Sequence, residues 1–292
     1  MGSRPADGDD EPGGYRGRGH GAVSALGGHT VREGVFRYRG AELRYEDAGR
    51  GPLAVYAHGG FAGRAAEDRA GLFDWTPVLD AGRRLVRWDA RGHGRSTGEP
   101  VDGDYTYASM ADDLLALLGH LGAARPVDAM GASMGCGTVL HAAVRAPERF
   151  SRLVLLIPPT AWATRAAHAR RNREWADTIE RDGAGAWHTA RMSGPRPAVV
   201  AGLPRVVPTP AERVLPSVLR GLALSDLPAP EAIAGLRRPG LVLTWAGDPG
   251  HPLSTARALA GLLRAELHVS RTAADVRTWG ERVAGFLSRP AS

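Results

Sequence analysis

The chain contains no lysine. All 37 basic residues are arginines, set against 31 acids, and the formal net charge is +6. With 39 glycines and 21 prolines, this reads as the bias of a GC-rich genome. No basic run with interleaved aromatics appears, so a nucleic-acid partner is not expected. The one cysteine, Cys136, excludes an internal disulfide and any cysteine-based metal cluster. No apolar stretch reaches the ~20 residues needed to cross a bilayer. No secretory pattern opens the chain either, so a cytoplasmic protein with no membrane contact is expected. Histidine is missing after His268, an absence that matters below.

At 292 residues the chain is long enough for one large α/β core with an insertion. Residues 1–30 are rich in Gly, Asp and Arg and poor in apolar side chains, which predicts a disordered tail. Val35 to Arg39 and Glu42 to Tyr45 alternate around Gly40-Ala41 and predict a hairpin. Short apolar strands are expected at Leu53 to Ala57, Arg84 to Trp88, Pro126 to Met130, Leu153 to Ile157, Gly240 to Trp245 and Glu266 to Ser270. Helical spacing marks Tyr107 to Leu121, with Asp112 and Asp113 on the polar side, and recurs at Cys136 to Ala146, up to Leu263, and at Val276 to Leu287. Strands alternating with helices imply a mainly parallel central sheet flanked by helices. Residues 161–227 break that rhythm with a charged helical run and several prolines, and are expected to form an inserted helical lid. The core would then comprise 31–160 and 228–292.

Gly131-Ala132-Ser133-Met134-Gly135 is the most constraining motif. Glycines two before and two after a serine allow a sharp turn from strand to helix, leaving the hydroxyl on a strained tip above the sheet edge. Met134 would then offer a backbone N–H to an oxyanion. Cys136, just behind this turn, reads as a small packed residue.

Three further marks follow successive strands: His58-Gly59-Gly60, Asp89-Ala90-Arg91-Gly92-His93-Gly94-Arg95-Ser96, and Asp248-Pro249-Gly250-His251-Pro252. Together with the serine turn, in this order, they resemble the α/β-hydrolase fold superfamily, of the capped type with a serine nucleophile. The likeness runs from about Val35 to Leu287. It implies Ser133 as nucleophile and Asp248 as the acid that orients a histidine base. It also implies an oxyanion hole built from the N–H of Met134 and of Gly60 or Phe61. No metal and no organic cofactor are implied.

The base is where the pattern departs. The family places it in the loop after the last strand, but here that loop reads Arg271-Thr272-Ala273-Ala274-Asp275-Val276, with Asp275 near the expected imidazole position. Among the ten histidines, His58 and His93 belong to structural turns. His120 and His141 fall on helices, His268 on a strand, and His168 and His188 in the lid. His251 is the best placed substitute, and the identity of the base stays open. The expected activity is hydrolysis of an ester, thioester or lactone through an acyl-Ser133 intermediate. The competing class is a binding protein or cyclase that keeps the pocket with an incomplete triad. Between Ala161 and Asp226 there are ten arginines against six acids, with Trp162, Trp175 and Trp187. A small-molecule substrate that is anionic, or an acyl group on a phosphate-bearing carrier, would suit such a surface; a solvated helix face is the plainer account.

Overall fold

The computed structural model describes residues 23–290. Nine strands form one sheet: β1 (Val23–Leu26), β2 (His29–Tyr38), β3 (Ala41–Ala48), β4 (Leu53–Ala57), β5 (Arg84–Trp88), β6 (Val127–Ala132), β7 (Phe150–Leu156), β8 (Gly240–Trp245) and β9 (Glu266–Ser270). Their order is β1-β2-β3-β5-β4-β6-β7-β8-β9. The first three strands and the β3–β5 junction are antiparallel, and every later pairing is parallel.

The central parallel strands β4, β6, β7 and β8 are mostly apolar because both faces are covered, whereas the edge strand β9 is only partly buried. In β7, Leu153 and Leu155 face one apolar cluster while Val154 and Leu156 face the other. This is the two-residue alternation of a strand buried on both sides. The first cluster takes Leu114 and Leu118 of α3 (Tyr107–His120), Val139 and Leu140 of α4 (Met134–Arg145), Ile233 of α8 (Pro230–Ala234) and Leu259 of α9 (Leu253–Leu263). The second takes Val78 and Leu79 of α2 (Thr76–Asp80), Val276 of α10 (Ala273–Arg277) and Trp279, Val283 and Phe286 of α11 (Trp279–Leu287). A short α1 (Arg64–Ala70) follows β4.

Between β7 and β8 the chain forms no strand. It makes α5 (Arg165–Asp182), α6 (Gly185–Ser193) and α7 (Leu215–Leu224), with α8 leading back to the sheet. A third apolar cluster joins Ala176 and Ile179 of α5, Trp187 of α6, and Leu215 and Leu219 of α7, with Phe61 of the core packed against it. Among the described residues no helix is long and apolar enough to cross a membrane.

Three expectations need correction. The tail expected over 1–30 ends earlier, since β1 pairs antiparallel with β2 through a two-residue turn. Gly27 and Gly28 have φ of +55° and +85°, as a hairpin turn that follows the strand twist requires. Residues 1–22 of that expected tail lie outside the described residues. Asp113 is not on a polar face: it is fully buried and receives two bonds from Arg91, at 2.7 and 3.1 Å. The last helix is two, broken at Thr278, whose hydroxyl donates to the Asp275 carbonyl (2.8 Å).

Candidate active site

Ser133 joins β6 to α4 with φ +50° and ψ −108°, a conformation that costs energy for any residue with a side chain. The neighbouring backbone holds it there. The Ser133 N–H donates to Leu156 O (2.9 Å), and Ser133 O accepts from the Cys136 N–H (2.9 Å). Both flanking glycines are demanded by space. A Cβ at Gly131 would lie 2.2 Å from Gly135 O, and one at Gly135 would lie 2.0 Å from Ala57 O. The Cys136 thiol is buried, donates to the Gly131 and Leu156 carbonyls, and is pushed up by burial, so it stays protonated and inert.

The loop after β8 presents the other two groups. Asp248 Oδ1 accepts the Gly250 N–H (2.9 Å), closing a tight turn of the kind Asp-Pro-Gly favours. That turn swings His251 back over the same carboxylate, and His251 Nδ1–H donates to Asp248 Oδ2 (2.8 Å). The Trp245 indole N–H donates to the same oxygen (3.1 Å). Burial alone would raise the Asp248 carboxyl. The bond and charge of His251, with Trp245 and Gly250, outweigh it and hold the group well below the usual carboxylate range. With Nδ1 committed as donor, Nε2 is the acceptor, and it lies 2.7 Å from Ser133 Oγ. The structure thus brings together Ser133, His251 and Asp248 in one hydrogen-bonded line.

The turn after β4 lies against the serine. A Cβ at Gly59 would be 3.7 Å from Ser133 Cβ, and one at Gly60 would be 3.7 Å from Met134 Cβ. Phe61 has φ +63°. The N–H groups of Gly60 and Phe61 donate to no acceptor among the described residues. Met134 is the first helical residue, so its N–H has no intrahelical acceptor. The turn is braced from below. His58 Nδ1–H donates to Gly59 O (2.7 Å) and its Nε2 accepts the Ala90 N–H (2.9 Å), a structural role. Glu67 Oε1 accepts the Gly59 N–H (3.2 Å) and Oε2 accepts the Tyr56 hydroxyl (2.9 Å). Burial pushes the Glu67 carboxyl up to about 7 despite these bonds.

The loop after β9 is engaged differently. Asp275 Oδ2 accepts the N–H groups of Arg271 (2.9 Å) and Thr272 (3.0 Å), and Thr272 Oγ1 accepts the Asp275 N–H (3.1 Å). This reciprocal cap starts α10. From above, His168 of α5 accepts an Arg171 N–H on Nδ1 (2.9 Å) and is pushed down to about 3 by burial and by Arg165 and Arg171. Sequence reasoning gave His168 no fixed place and did not find Glu67; neither stands in a recognisable motif. Two surface clefts, one around Ile179, Glu212 and Arg220 and one around His29, Asp47 and Arg84, are lined by none of these groups.

A family model described as the alpha/beta hydrolase fold matches residues 54–191. The chain is 32% identical over 193 residues to RutD of Klebsiella pneumoniae, named for a suspected carbamate hydrolase activity; the match covers 62% of this chain and 70% of that protein. It is 39% identical over 134 residues to the non-heme chloroperoxidase CPO-A1 of Kitasatospora aureofaciens, covering 44% of each. The chain thus spans less than half of the chloroperoxidase. Among solved structures, a hydrolase from Pseudomonas aeruginosa superposes with a TM-score of 0.70 at 23% identity, covering 87% of this chain and 96% of that one. The enol-lactonase of Burkholderia xenovorans superposes with a TM-score of 0.58 at 23% identity, covering 92% and 100%. At that identity the likeness is one of fold. The chain belongs to the α/β-hydrolase superfamily.

Proposed function

We propose that the protein is a serine hydrolase that cleaves an ester, thioester or lactone through an acyl-Ser133 intermediate, with His251 as the base and Asp248 as its partner. The observation that carries this reading is the line Ser133 Oγ to His251 Nε2 (2.7 Å) and His251 Nδ1 to Asp248 Oδ2 (2.8 Å).

Ser133 Oγ attacks the acyl carbon as His251 Nε2 takes its proton. Asp248, kept ionised, fixes the tautomer and stabilises the imidazolium that forms. The carbonyl oxygen becomes an oxyanion facing the Met134 N–H and that of Gly60 or Phe61. His251 then gives its proton to the leaving group, and the acyl-enzyme forms. A water, deprotonated by the same imidazole, attacks the ester to Ser133 and releases the acid. General-base help of this kind is worth ~10²–10⁴-fold, and each oxyanion donor ~10²–10³-fold. Helices α5 to α7 serve as a lid. Thr209 fastens that segment to the oxyanion turn: its N–H donates to Phe61 O (2.9 Å), its hydroxyl donates to Ala62 O, and its Oγ1 accepts the Gly94 N–H (2.8 Å). The relatives named as hydrolases support the reaction class. The substrate within it is chosen by the groups that line the site and not by the fold.

A fluorophosphonate probe tests the assignment. One label per chain is expected, on Ser133, lost in Ser133→Ala and greatly slowed in His251→Ala. A serine that stays unlabelled in a folded protein, with no turnover of nitrophenyl esters, acyl thioesters or lactones, would leave the non-hydrolytic reading in its place.

A further inference from the structure

Buried arginines in this protein have partners. Arg64 and Arg91 pair with Asp89 and Asp113, Arg83 and Arg152 share Asp128, and Arg87 holds Asp68 and Glu46. Arg165 is satisfied by the Ser225 carbonyl (2.7 Å), the Thr160 hydroxyl (3.1 Å) and the Leu222 carbonyl. The half-buried Arg191 differs. Its Nε is shielded from solvent with no acceptor, and among the described residues its guanidinium meets neither a carboxylate nor a carbonyl. A cation partly stripped of water and without a counter-charge is a place that an anion would improve.

Its place says what. Arg191 lies one turn after Trp187 on α6, so the two share a face. The guanidinium lies over Phe61, 4.8 Å from the ring centroid, and 5.7 Å from the Trp187 centroid. The two rings meet edge to face at 5.2 Å. Aromatic faces hold the plane of the cation, while its edge, which carries the donors, is left free. Phe61 belongs to the proposed oxyanion turn, so the cation is tied through that ring to the turn beside Ser133. The surroundings are positive or neutral. Arg205 donates to Arg191 O (2.9 Å) and spends its other nitrogen on the Gly194 carbonyl. His93, neutral, has its Nδ1–H committed to Arg91 O (2.8 Å) and its buried Nε2 unpartnered. Burial and Arg205 push the Arg191 guanidinium down to about 10, still charged at neutral pH.

We infer that Arg191 is the binding site for an anionic group on the substrate, a carboxylate or a phosphate carried on the part of the molecule that lies under α6 while its acyl carbon faces Ser133. This rests on the hydrolase reading of Ser133 and narrows it from esters in general to acidic ones. The fork of a guanidinium matches the paired oxygens of either anion, and Phe61 and Trp187 would flank the apolar chain between anion and acyl carbon.

The test compares three nitrophenyl esters of equal length, ending in a methyl group, a carboxylate or a phosphonate. Arg191→Met is expected to lower the ratio of kcat/KM for an anionic ester to that for the neutral one by ~10–100-fold, mainly through KM, the size of a lost charged hydrogen bond. Arg191→Lys should restore part of it. Selective loss with the carboxylate or with the phosphonate ester identifies the natural anion. Parallel loss on all three esters would reduce Arg191 to a prop for Phe61 and overturn the inference, as would an unchanged ratio. Should the protein turn over no ester, titration calorimetry with glutarate and with propyl phosphonate decides separately. Binding to the wild type that disappears in Arg191→Met upholds the anion site while the hydrolase reading falls. Equal binding to both proteins, or none to the wild type, removes the anion site.

Discussion

Two loops leave neighbouring parallel strands at the same edge of the sheet, and they have been put to opposite uses. The loop after β8 carries Asp248 and His251 within four residues and points the imidazole at Ser133 with the carboxylate behind it. The loop after β9, where the superfamily resemblance puts the base, is spent on starting a helix through Thr272 and Asp275. On the proposed reading, the contrast teaches that the imidazole a nucleophile needs is fixed by its place in space, whichever loop supplies it. Pro249 and Gly250 make the move feasible, because the turn they form lets an acid reach the histidine three residues on.

The largest test of that contrast is kinetic. Ser133→Ala and His251→Ala should each lower kcat by ~10⁶-fold, and the double variant should be no worse, because the groups act as one unit. Asp248→Asn should cost ~10⁴-fold by presenting the wrong tautomer. Asp275→Asn, in the other loop, should leave kcat where it is. Steady-state rates on one ester decide it, and a collapse in Asp275→Asn with a mild effect in His251→Ala would invert the comparison.

A second test sets two acids beside the site against each other. Asp248 is held ionised, whereas the Glu67 carboxyl, pushed up to about 7, keeps its proton in the folded chain well above its ordinary value of 4.5. Between pH 4.5 and 7 the folded state therefore binds more proton than the unfolded state. Stability falls as pH rises through that window, by about 3 kcal/mol in all. His93, pushed down to about 3, runs the other way: below pH 6.5 the unfolded chain takes up the proton first, and stability falls with falling pH. Denaturant melts of wild type and Glu67→Gln across pH 4 to 8 separate the two, since only the difference curve should decline with rising pH. A flat difference would mean that Glu67 is ionised throughout.

The smallest effect belongs to the β9 loop. Thr272→Ala removes the helix cap and should cost about 1 kcal/mol of stability, read as a lower melting midpoint with kcat unaltered. A changed kcat would give that loop a part in catalysis.

The sheet was largely legible in the sequence because buried parallel strands leave runs such as Leu153 to Leu156, bounded by turns. The serine turn was legible for a steric reason, since Gly131 and Gly135 stand where no Cβ fits. The first hairpin was not, because Gly27-Gly28 reads as more of a glycine-rich tail until its partner strand is seen. His251 stood in plain sight beside Asp248, but its aim depends on how the β8 turn closes, and spacing alone does not show that. Arg191 could not be read at all. Among 37 arginines, one without a counter-charge has no mark in the sequence; only packing against Phe61 and Trp187 reveals it.

The Asp248–His251 turn has a consequence for how this site can fail or adapt. In a constellation assembled from three separate loops, two long-range distances must be maintained at once. Here the relay from carboxylate to imidazole is set by the bond angles of one tetrapeptide and travels as a rigid piece. A single spacing, from that piece to the hydroxyl across β7, is left for the tertiary structure to regulate, and under the proposed reading the strand beyond carries no catalytic group and answers to its own packing.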